Sequence, residues 1–296
     1  MPNRAFVMMP PAGLGGISAI CFGTADFMAR FSSRAIDHYN SLLGMLIAGS
    51  IAMTLWIVLS VGLPSAEGLS VWWILTNGIA TTIMTLLLYL GLARGPVSVV
   101  APIVTAHPVF VILFYFLWHG NLLTLYEVVA IGITVLGTVI IARSASDRAP
   151  AEGPATHPNY MKSTIFIALG ASLAYAVLII AGQAAAENHG QVHTLWMGRL
   201  VSLMFLLLVF GIRRRVPYVP VRWWPFLCAQ GLLDAGGHIA LLTGGYGAGK
   251  EIVTVVAATF GAVTVLLARV ILKESINSTQ WFGMLLIFGG VIVLSS

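Results

Sequence analysis

The chain has 296 residues, of which 58% are hydrophobic and only 8% charged, and its formal net charge is +5. Because an ordinary soluble domain has roughly a quarter of its residues charged, this composition excludes a water-soluble globule, whose surface so few charges could not cover. We therefore expect an integral membrane protein, with a basic balance that reflects its orientation in the lipid bilayer and no nucleic-acid partner.

Apolar runs long enough to cross a bilayer follow one another along the whole chain. A spanning helix needs roughly 20 mostly apolar residues. Ten such runs lie between clusters of charge, proline and glycine: 13–31, 40–61, 71–93, 97–118, 124–142, 163–185, 194–211, 223–245, 251–272 and 280–295. The sequence therefore predicts an all-α integral membrane protein with ten transmembrane helices.

The first and third predicted helices carry polar residues at membrane depth. Placing an ionisable group inside the membrane costs roughly 2.5–3.5 kcal/mol, so we expect Asp26 to have a partner or a functional role there. It could pair with Arg30 one turn later, a structural role, or it could act as a gate. In the third helix, Thr81, Thr85 and Tyr89 are candidates for a substrate site, although threonines often bond their own helix.

Proline interrupts the fourth predicted helix. Pro102 and Pro108 each remove a backbone hydrogen bond and can bend the helix, so we predict hinges there. His107 lies beside Pro108 at the centre of the same helix. Because freed carbonyls at this depth are tolerated where they line a cavity or pack against protein, His107 is either a substrate-site residue or a buried structural histidine.

The longest connection between predicted helices lies at the midpoint of the chain. Residues 143–160 are polar and rich in Pro, Ala and Ser, which is typical of a linker. On either side, residues 1–142 and 161–296 each contain five predicted helices, and an offset of 153 residues aligns their lengths and turns. Because five is odd, the second half must enter the membrane from the opposite side, so we predict two inverted five-helix repeats around a central cavity.

The sixth and seventh predicted helices add two candidates. Tyr175, in the middle of the sixth, has a hydroxyl that needs a partner and is expected either to point into the cavity or to be buried. Arg199, in the seventh, has a long side chain that can extend to the membrane surface. We favour that role for Arg199 over contact with substrate, and a gate role stays open.

Asp234, near the middle of the eighth predicted helix, is the strongest candidate functional residue. His238 follows four residues later on the same face, close enough to pair with it. A carboxylate and an imidazole side by side can exchange protons near neutral pH, so the pair suits binding of a substrate amine or proton coupling. The alternative is a structural pair that holds two helices together. Thr81 and Thr85 occupy the equivalent positions of the first repeat.

The region before and within the ninth predicted helix carries a hinge candidate and a misleading motif. Gly261 takes the repeat position of Pro108, so a flexible point is predicted there as well. Residues 244–250 have the spacing of a phosphate-binding loop, but Glu251 replaces the required Ser or Thr and no strand precedes the glycines. We predict a turn. No His/Cys cluster has metal-ligand spacing, so no metal or cofactor is expected.

Lysine and arginine are concentrated at one end of the predicted helices. The loops after odd-numbered helices, and the helix ends beside them, carry Arg30, Arg34, Arg94, Arg143, Arg148, Lys162, Arg213, Arg214, Arg215, Arg222, Arg269 and Lys273. The opposite end has Arg4 and Lys250. Since positively charged loops stay in the cytoplasm, we expect the linker there and both termini outside, in a bacterial inner membrane.

The last helices of each half resemble a known family. Residues 91–141 and 245–294 each combine a small-residue turn, a long apolar helix, a second turn and a Gly-rich helix. This pattern resembles the EamA type of the drug/metabolite transporter superfamily, built from two inverted five-helix repeats. The halves depart from it where Asn121 replaces the acidic residue that Glu274 supplies in the second half. The resemblance implies a carrier, often an exporter, with a cavity lined mainly by the third, fourth, eighth and ninth helices.

The function favoured by these features is secondary transport of a small polar or amphipathic metabolite, such as an amino acid, a related metabolite or a drug, by alternating access and in the export direction. Protons are a candidate coupling ion, and a monomer is expected because ten helices can enclose a cavity without a partner. The alternative is a membrane enzyme that modifies lipid with Asp234 and His238 as acid and base. It lacks a nucleophile or metal motif at the membrane surface.

Overall fold

The computed structural model describes residues 10–64, 71–119, 123–146, 158–244 and 250–295. Within these ranges the chain is helical, with no strand. The helices are α1 Pro11–Ile36, α2 His38–Trp56, α3 Val71–Arg94, α4 Val97–Thr105, α5 Pro108–His119, α6 Leu125–Ser146, α7 Pro158–Ile212, α8 Trp224–Gly244, α9 Lys250–Ala257, α10 Phe260–Ile271 and α11 Ser278–Ser295. Predictions concerning Arg4, Asn121, Arg148 and Gly249 lie outside the described residues, as do the side chains of Lys250 and Glu251.

Eight segments of the described chain are long and apolar enough to cross a membrane. One of them, Tyr160–Ile212, has 53 residues, which as a straight helix would be more than twice the roughly 30 Å of the hydrocarbon core. Gly190 interrupts it with φ 71° and ψ 159°, so two helices meet there. Glycine alone adopts this conformation readily. A shorter apolar helix, Ser278–Leu294, completes the set found in the described part of the chain.

Two breaks divide helices at places that agree within one residue under the 153-residue offset. The first separates α4 from α5 at residues 106–107, and the second separates α9 from α10 at residues 258–259. At each break a threonine hydroxyl donates to a carbonyl of the preceding turn: Thr105 to Pro102 at 2.9 Å and Thr259 to Val256 at 2.6 Å. Each hydroxyl therefore adds a local hydrogen bond where the regular helix ends.

Close helix contacts repeat with the same offset of 153 residues. A Cβ on Gly78 of α3 would lie 2.6 Å from the carbonyl oxygen of Gly198 on α7. A Cβ on Gly231 of α8 would lie 2.6 Å from the carbonyl oxygen of Met45 on α2. Positions 78 and 231 therefore both need glycine. The 153-residue offset relates Gly78 to Gly231 and Met45 to Gly198, so the two contacts are equivalent. Reciprocal contacts of this kind are produced by a two-fold relation between the halves.

The contact of α6 with α11 joins the last helices of the two halves. A Cβ on Gly137 would lie 2.6 Å from the carbonyl oxygen of Gly283, and one on Gly290 would lie 2.9 Å from that of Ala130. The offset of 153 residues again exchanges the two contacts. The glycines let the two backbones approach closely. Within a bilayer the hydrophobic effect does not drive helices together, so such close packing is what holds them in contact.

The centre of the bundle is α4, of which every residue from Val97 to Thr105 is buried. The exposed side chains of the outer helices are large and apolar, as in Leu136 of α6 and Leu285 of α11. The basic loops lie together at one end, as the charge pattern predicts: Arg34 Nε donates to the carbonyl of Ala93 at 2.8 Å, and Arg215 lies 3.8 Å from the Asp37 carboxylate. We call this the arginine-rich end.

Candidate functional site

Asp234 on α8 forms an ion pair with Arg199 on α7. Arg199 Nη2 donates to Asp234 Oδ2, and the arginine side chain is 8% exposed. The same nitrogen lies 3.5 Å from the Met45 sulfur on α2. The prediction that Arg199 extends to the membrane surface is wrong, because the buried carboxylate holds the guanidinium inside the protein. A positive and a negative charge that are paired can be buried at a position where burial of either charge alone would cost too much free energy.

Gly49 on α2 makes room for this ion pair. The Arg199 guanidinium lies directly against it, and a Cβ at this position would stand 2.9 Å from Arg199 Cζ and closer still to Nη2. Any side chain here would displace the guanidinium from its place beside Asp234. The ion pair therefore depends on three helices, of which α2 supplies space and the other two supply charge.

His238 lies beside Asp234, as its spacing on the helix predicts. Its Nδ1 is 3.7 Å from Asp234 Oδ2 and 2.9 Å from the Asp234 carbonyl oxygen. Because a carbonyl only accepts, the shorter contact requires that Nδ1 carry the proton. The imidazole also packs edge-to-face on Phe22 of α1, with ring centroids 4.7 Å apart.

Four rings from both halves form a continuous row, which we call the aromatic row: Phe22 on α1, Phe260 on α10, Tyr175 on α7 and His107 at the α4–α5 break. The centroid distances are 6.3 Å for Phe22 and Phe260, 6.5 Å for Phe260 and Tyr175, and 3.9 Å for Tyr175 and His107, whose rings stack. The 153-residue offset pairs Phe22 with Tyr175 and His107 with Phe260. The row thus runs between the halves and is partly exposed along its length.

His107 and the two threonines have local partners as well. His107 Nδ1 lies 3.3 Å from the Val104 carbonyl oxygen, which also accepts from the His107 amide. Thr81 donates to the Asn77 carbonyl at 2.7 Å and Thr85 to the Thr81 carbonyl at 2.9 Å. Both threonines therefore bond their own helix, the structural role that the sequence left open.

Tyr89 belongs to a buried network instead of an open surface. Its hydroxyl accepts from Gln230 Nε2 at 2.6 Å, and Gln230 Oε1 in turn accepts from the Ser32 hydroxyl at 3.1 Å. Tyr89 is 2% exposed and Gln230 is fully buried. In this conformation Tyr89 has no surface for a ligand, contrary to the prediction that it lines the substrate site, because Gln230 occupies its hydroxyl.

Asp26 on α1 is not paired with Arg30. The Arg30 guanidinium instead lies 3.3 Å from Glu274 Oε1, in the turn between α10 and α11, and donates to the Gly95 carbonyl at 2.6 Å. The predicted pairing of neighbouring turns is therefore wrong, because a carboxylate from the other half competes for the arginine. The described residues give the Asp26 carboxylate no hydrogen bond or ion pair.

Glu274 ties the two halves together at the arginine-rich end. Its Oε1 accepts from the Val97 amide at 3.0 Å and its Oε2 from the Ser98 amide at 3.1 Å, so it caps the first turn of α4. Free amides at a helix N-terminus favour a carboxylate for electrostatic reasons as well. We call Arg30, Gly95, Val97, Ser98 and Glu274 the end network.

A comparison with protein-family models matches the same family to each half of the chain. The model of the EamA-like transporter family matches residues 11–143 and again residues 162–296, which together make up most of the chain. The chain belongs to the EamA-like transporter family. It is therefore a multi-pass membrane protein of the drug/metabolite transporter superfamily, with one EamA repeat in each half.

Other comparisons add the fold alone to this EamA-like assignment. A solved crystal structure resembles the chain with a TM-score of 0.61 over 95% of both chains, at 18% sequence identity. At that identity the likeness concerns the fold. No curated protein matches the chain. Among the described residues of this EamA-like protein, no group of three or more His, Cys, Asp or Glu could hold a metal ion.

Several residues of the EamA-like site are not indicated by any pattern discussed above. Phe22 is the repeat partner of Tyr175, which was a candidate, so the offset of 153 residues would have found it. Buried Gln230 is likewise the repeat partner of buried Asn77, whose amide donates to the Leu178 carbonyl at 2.8 Å. Gly49 carries no sequence signal of its role, since only the fold brings it to Arg199.

Proposed function

We propose that the protein is a ten-helix secondary transporter that exports a small polar or amphipathic metabolite across a bacterial inner membrane by alternating access. The observation that supports the proposal is the buried ion pair of Arg199 and Asp234, which His238 connects to the aromatic row where residues of both EamA repeats meet. Ionisable groups inside a membrane mark a transport path by default.

The helices already described support a count of ten crossings. The 53-residue segment supplies two crossings that meet at Gly190, and Ser278–Leu294 supplies the last. Five helices in each repeat place the second repeat in the opposite orientation, and the reciprocal glycine contacts support that relation. We propose a central cavity between the repeats, formed within one chain, so that a monomer suffices.

The proposed substrate site combines three kinds of surface. The ion pair of Arg199 and Asp234 and the carboxylate of Asp26 can bind charged groups, and His238 can exchange protons. The aromatic row, with the Tyr175 hydroxyl, can hold an apolar or aromatic body. This combination fits amphipathic metabolites better than ions or sugars, which lack an apolar part.

Alternating access needs an end that can close and helices that can bend. The end network joins the repeats at the arginine-rich end through Glu274 and Arg30. At the equivalent positions of the other end, the sequence has Asn121 and Gln183, which carry no charge. We propose that this asymmetry favours closure of the arginine-rich end. We also propose that Pro102, within α4, together with Pro108 and Gly261, just after the two helix breaks, absorbs the bend.

The test is substrate counterflow in proteoliposomes. Purified full-length protein is first heated with a panel of amino acids, amines and other amphipathic metabolites, and compounds that raise its melting temperature are then used as labelled substrates. We expect transient accumulation of label in vesicles preloaded with the same unlabelled compound. Absence of counterflow for every stabilising compound would contradict a transport function, and release of modified lipid would favour an enzyme instead.

A further inference from the structure

Two histidines stand at the ends of the aromatic row. His107 is the last ring of the row and stacks on Tyr175, with ring centroids 3.9 Å apart. At the other end, His238 packs edge-to-face on Phe22, with centroids 4.7 Å apart. His107 belongs to the first EamA repeat and His238 to the second, so each repeat supplies one imidazole to the surface between the halves.

The same ring nitrogen is fixed in both histidines. His238 Nδ1 lies 2.9 Å from the carbonyl oxygen of Asp234, and His107 Nδ1 lies 3.3 Å from that of Val104. Because a carbonyl oxygen only accepts hydrogen bonds, Nδ1 carries the proton in each ring. A neutral imidazole has a single N–H group, so Nε2 is then a hydrogen-bond acceptor.

The described residues give neither imidazole a carboxylate that could balance a second proton. The Asp234 carboxylate lies 3.7 Å from His238 Nδ1, but Arg199 already neutralises it. Within the same part of the chain, His107 takes part in no ion pair. A doubly protonated ring would therefore be a cation without a partner inside the membrane, which is costly. Both rings are neutral and present Nε2 as an acceptor.

The Nε2 atoms of both rings have no hydrogen-bond partner within the described ranges. Neither is among the buried polar atoms without a partner in this part of the chain, so both are accessible. His193, outside the row, shows the alternative, because its two ring nitrogens lie 3.2 Å and 2.9 Å from the carbonyl oxygens of His189 and Gly62. Packing alone does not need a histidine at either end of the row, since phenylalanine makes the same ring contacts without a polar nitrogen.

Two acceptors beside aromatic rings select a ligand that carries hydrogen-bond donors. A carboxylate has no donor and would face the lone pairs of Nε2, so it is disfavoured. An ammonium group has donors, but it would lose its hydration without gaining a counter-charge, because Arg199 already holds Asp234. A neutral O–H or N–H group on an aromatic ring pairs with Nε2, while the ring packs on the row.

We propose that the aromatic row binds uncharged aromatic molecules that carry a hydroxyl or ring N–H donor, such as phenols, and that Nε2 of His238 and of His107 accepts their hydrogen bonds. This inference rests on the proposed transport function and names the substrate class of that site. The ion pair of Arg199 and Asp234 keeps this end of the row neutral and does not bind the ligand.

Four probes with one methoxyphenyl skeleton test this selection. 4-Methoxyphenol has a neutral donor, 1,4-dimethoxybenzene has none, 4-methoxybenzylamine is a cation and 4-methoxybenzoate is an anion at neutral pH. Calorimetry on the purified full-length protein measures their dissociation constants. We expect 4-methoxyphenol to bind about tenfold more tightly than 1,4-dimethoxybenzene, and both charged probes to bind more weakly than the phenol.

Variants at the two histidines assign this preference to Nε2. His238→Phe with His107→Phe keeps both rings and removes both acceptors, so the ratio of the dissociation constants of 1,4-dimethoxybenzene and 4-methoxyphenol should fall from about ten to about one. Each single Phe variant should lower the ratio part of the way, which gives the same test where the double variant does not fold. A merely structural role would weaken both probes equally and leave the ratio unchanged.

Two further variants control for the change of ring and of residue type. His238→Gln with His107→Gln retains amide oxygens as acceptors, so the phenol should still bind more tightly than the diether. The matched control is His189→Phe, which replaces a histidine outside the row and leaves intact the backbone carbonyl near His193. It should keep the ratio of the natural chain.

The outcomes separate this inference from the transport function. Equal binding of 4-methoxyphenol and 1,4-dimethoxybenzene, no binding of the phenol, tighter binding of either charged probe, or an unchanged ratio in the folded Phe variants would overturn the donor site. If counterflow of another compound persists in any of those cases, transport stands and the donor site falls. Binding with the expected ratio but without counterflow of any compound would leave a binding site and remove the transporter.

Discussion

At the residue scale, the ion pair of Arg199 and Asp234 explains how two charges survive in the middle of the bundle. Each charge alone would be desolvated without compensation, and removal of one partner from a buried pair typically costs about 3–5 kcal/mol. Replacing both by uncharged groups of similar size is often nearly neutral. The pair therefore contributes little net stability, and its value lies in fixing charge beside the site.

Replacement of Arg199 alone should destabilise the protein more than replacement of both partners. We expect Arg199→Met to lower the melting temperature clearly, since it leaves the Asp234 carboxylate without its cation, and Arg199→Met with Asp234→Asn to recover most of the loss. Thermal unfolding in detergent, followed by circular dichroism, gives the comparison. The exposed Arg222→Met serves as control. A double variant no more stable than the single one would show that the pair is not the cause.

Gly49 offers a second residue-scale prediction. Gly49→Ala places a methyl group on the Arg199 guanidinium and should cost stability, because the buried ion pair has no room to shift. The control is Gly16→Ala on α1, where a Cβ meets nothing within 4 Å. There the same change should be neutral or stabilising by up to about 1 kcal/mol, from helix propensity. Equal melting temperatures for both variants would contradict the steric argument.

At the element scale, the first turn of α4 depends on the second half of the chain. The residue before α4, Pro96, has no side chain that can accept hydrogen bonds from the free amides of this turn. Glu274, which follows α10, supplies the acceptors instead. Because Arg30 contacts the same carboxylate, α1 is joined as well. Replacement of Glu274 should therefore change how α1, α4 and α10 are held together at the arginine-rich end, and not only the conformation of one turn.

Opening of the arginine-rich end should follow loss of the Glu274 charge. Cys21 on α1, the residue before Phe22 of the aromatic row and partly exposed, reports access to the site in a Cys228→Ser background. We expect Glu274→Gln to raise several-fold the rate at which a membrane-impermeant maleimide, added from the arginine-rich side, labels Cys21. Lys273→Gln, in the same turn, should leave the rate unchanged. An equal rate in both variants would show that the end network does not control access.

At the scale of the whole molecule, the repeat predicts topology. An even number of crossings places both termini on one face, and the basic loops predict that this face is outside. Reporter fusions at each terminus, with cysteine labelling at Arg222→Cys as the reference for the arginine-rich end, measure it. Both termini should report the face opposite that cysteine. Termini on different faces would imply an odd count of crossings, and the two-fold relation between the halves would not hold.

The sequence by itself determined the membrane class, the predicted helices and the repeat. Hydropathy and helix length are local properties, and a helix that crosses a bilayer satisfies its backbone hydrogen bonds within itself. It also placed His238 beside Asp234, since four residues make one turn. It could not pair Arg199 with Asp234, 35 residues apart, or Arg30 with Glu274 across the two halves. Those choices belong to the tertiary structure: several carboxylates compete for each arginine, and only the packing of the helices decides which of them lies within reach.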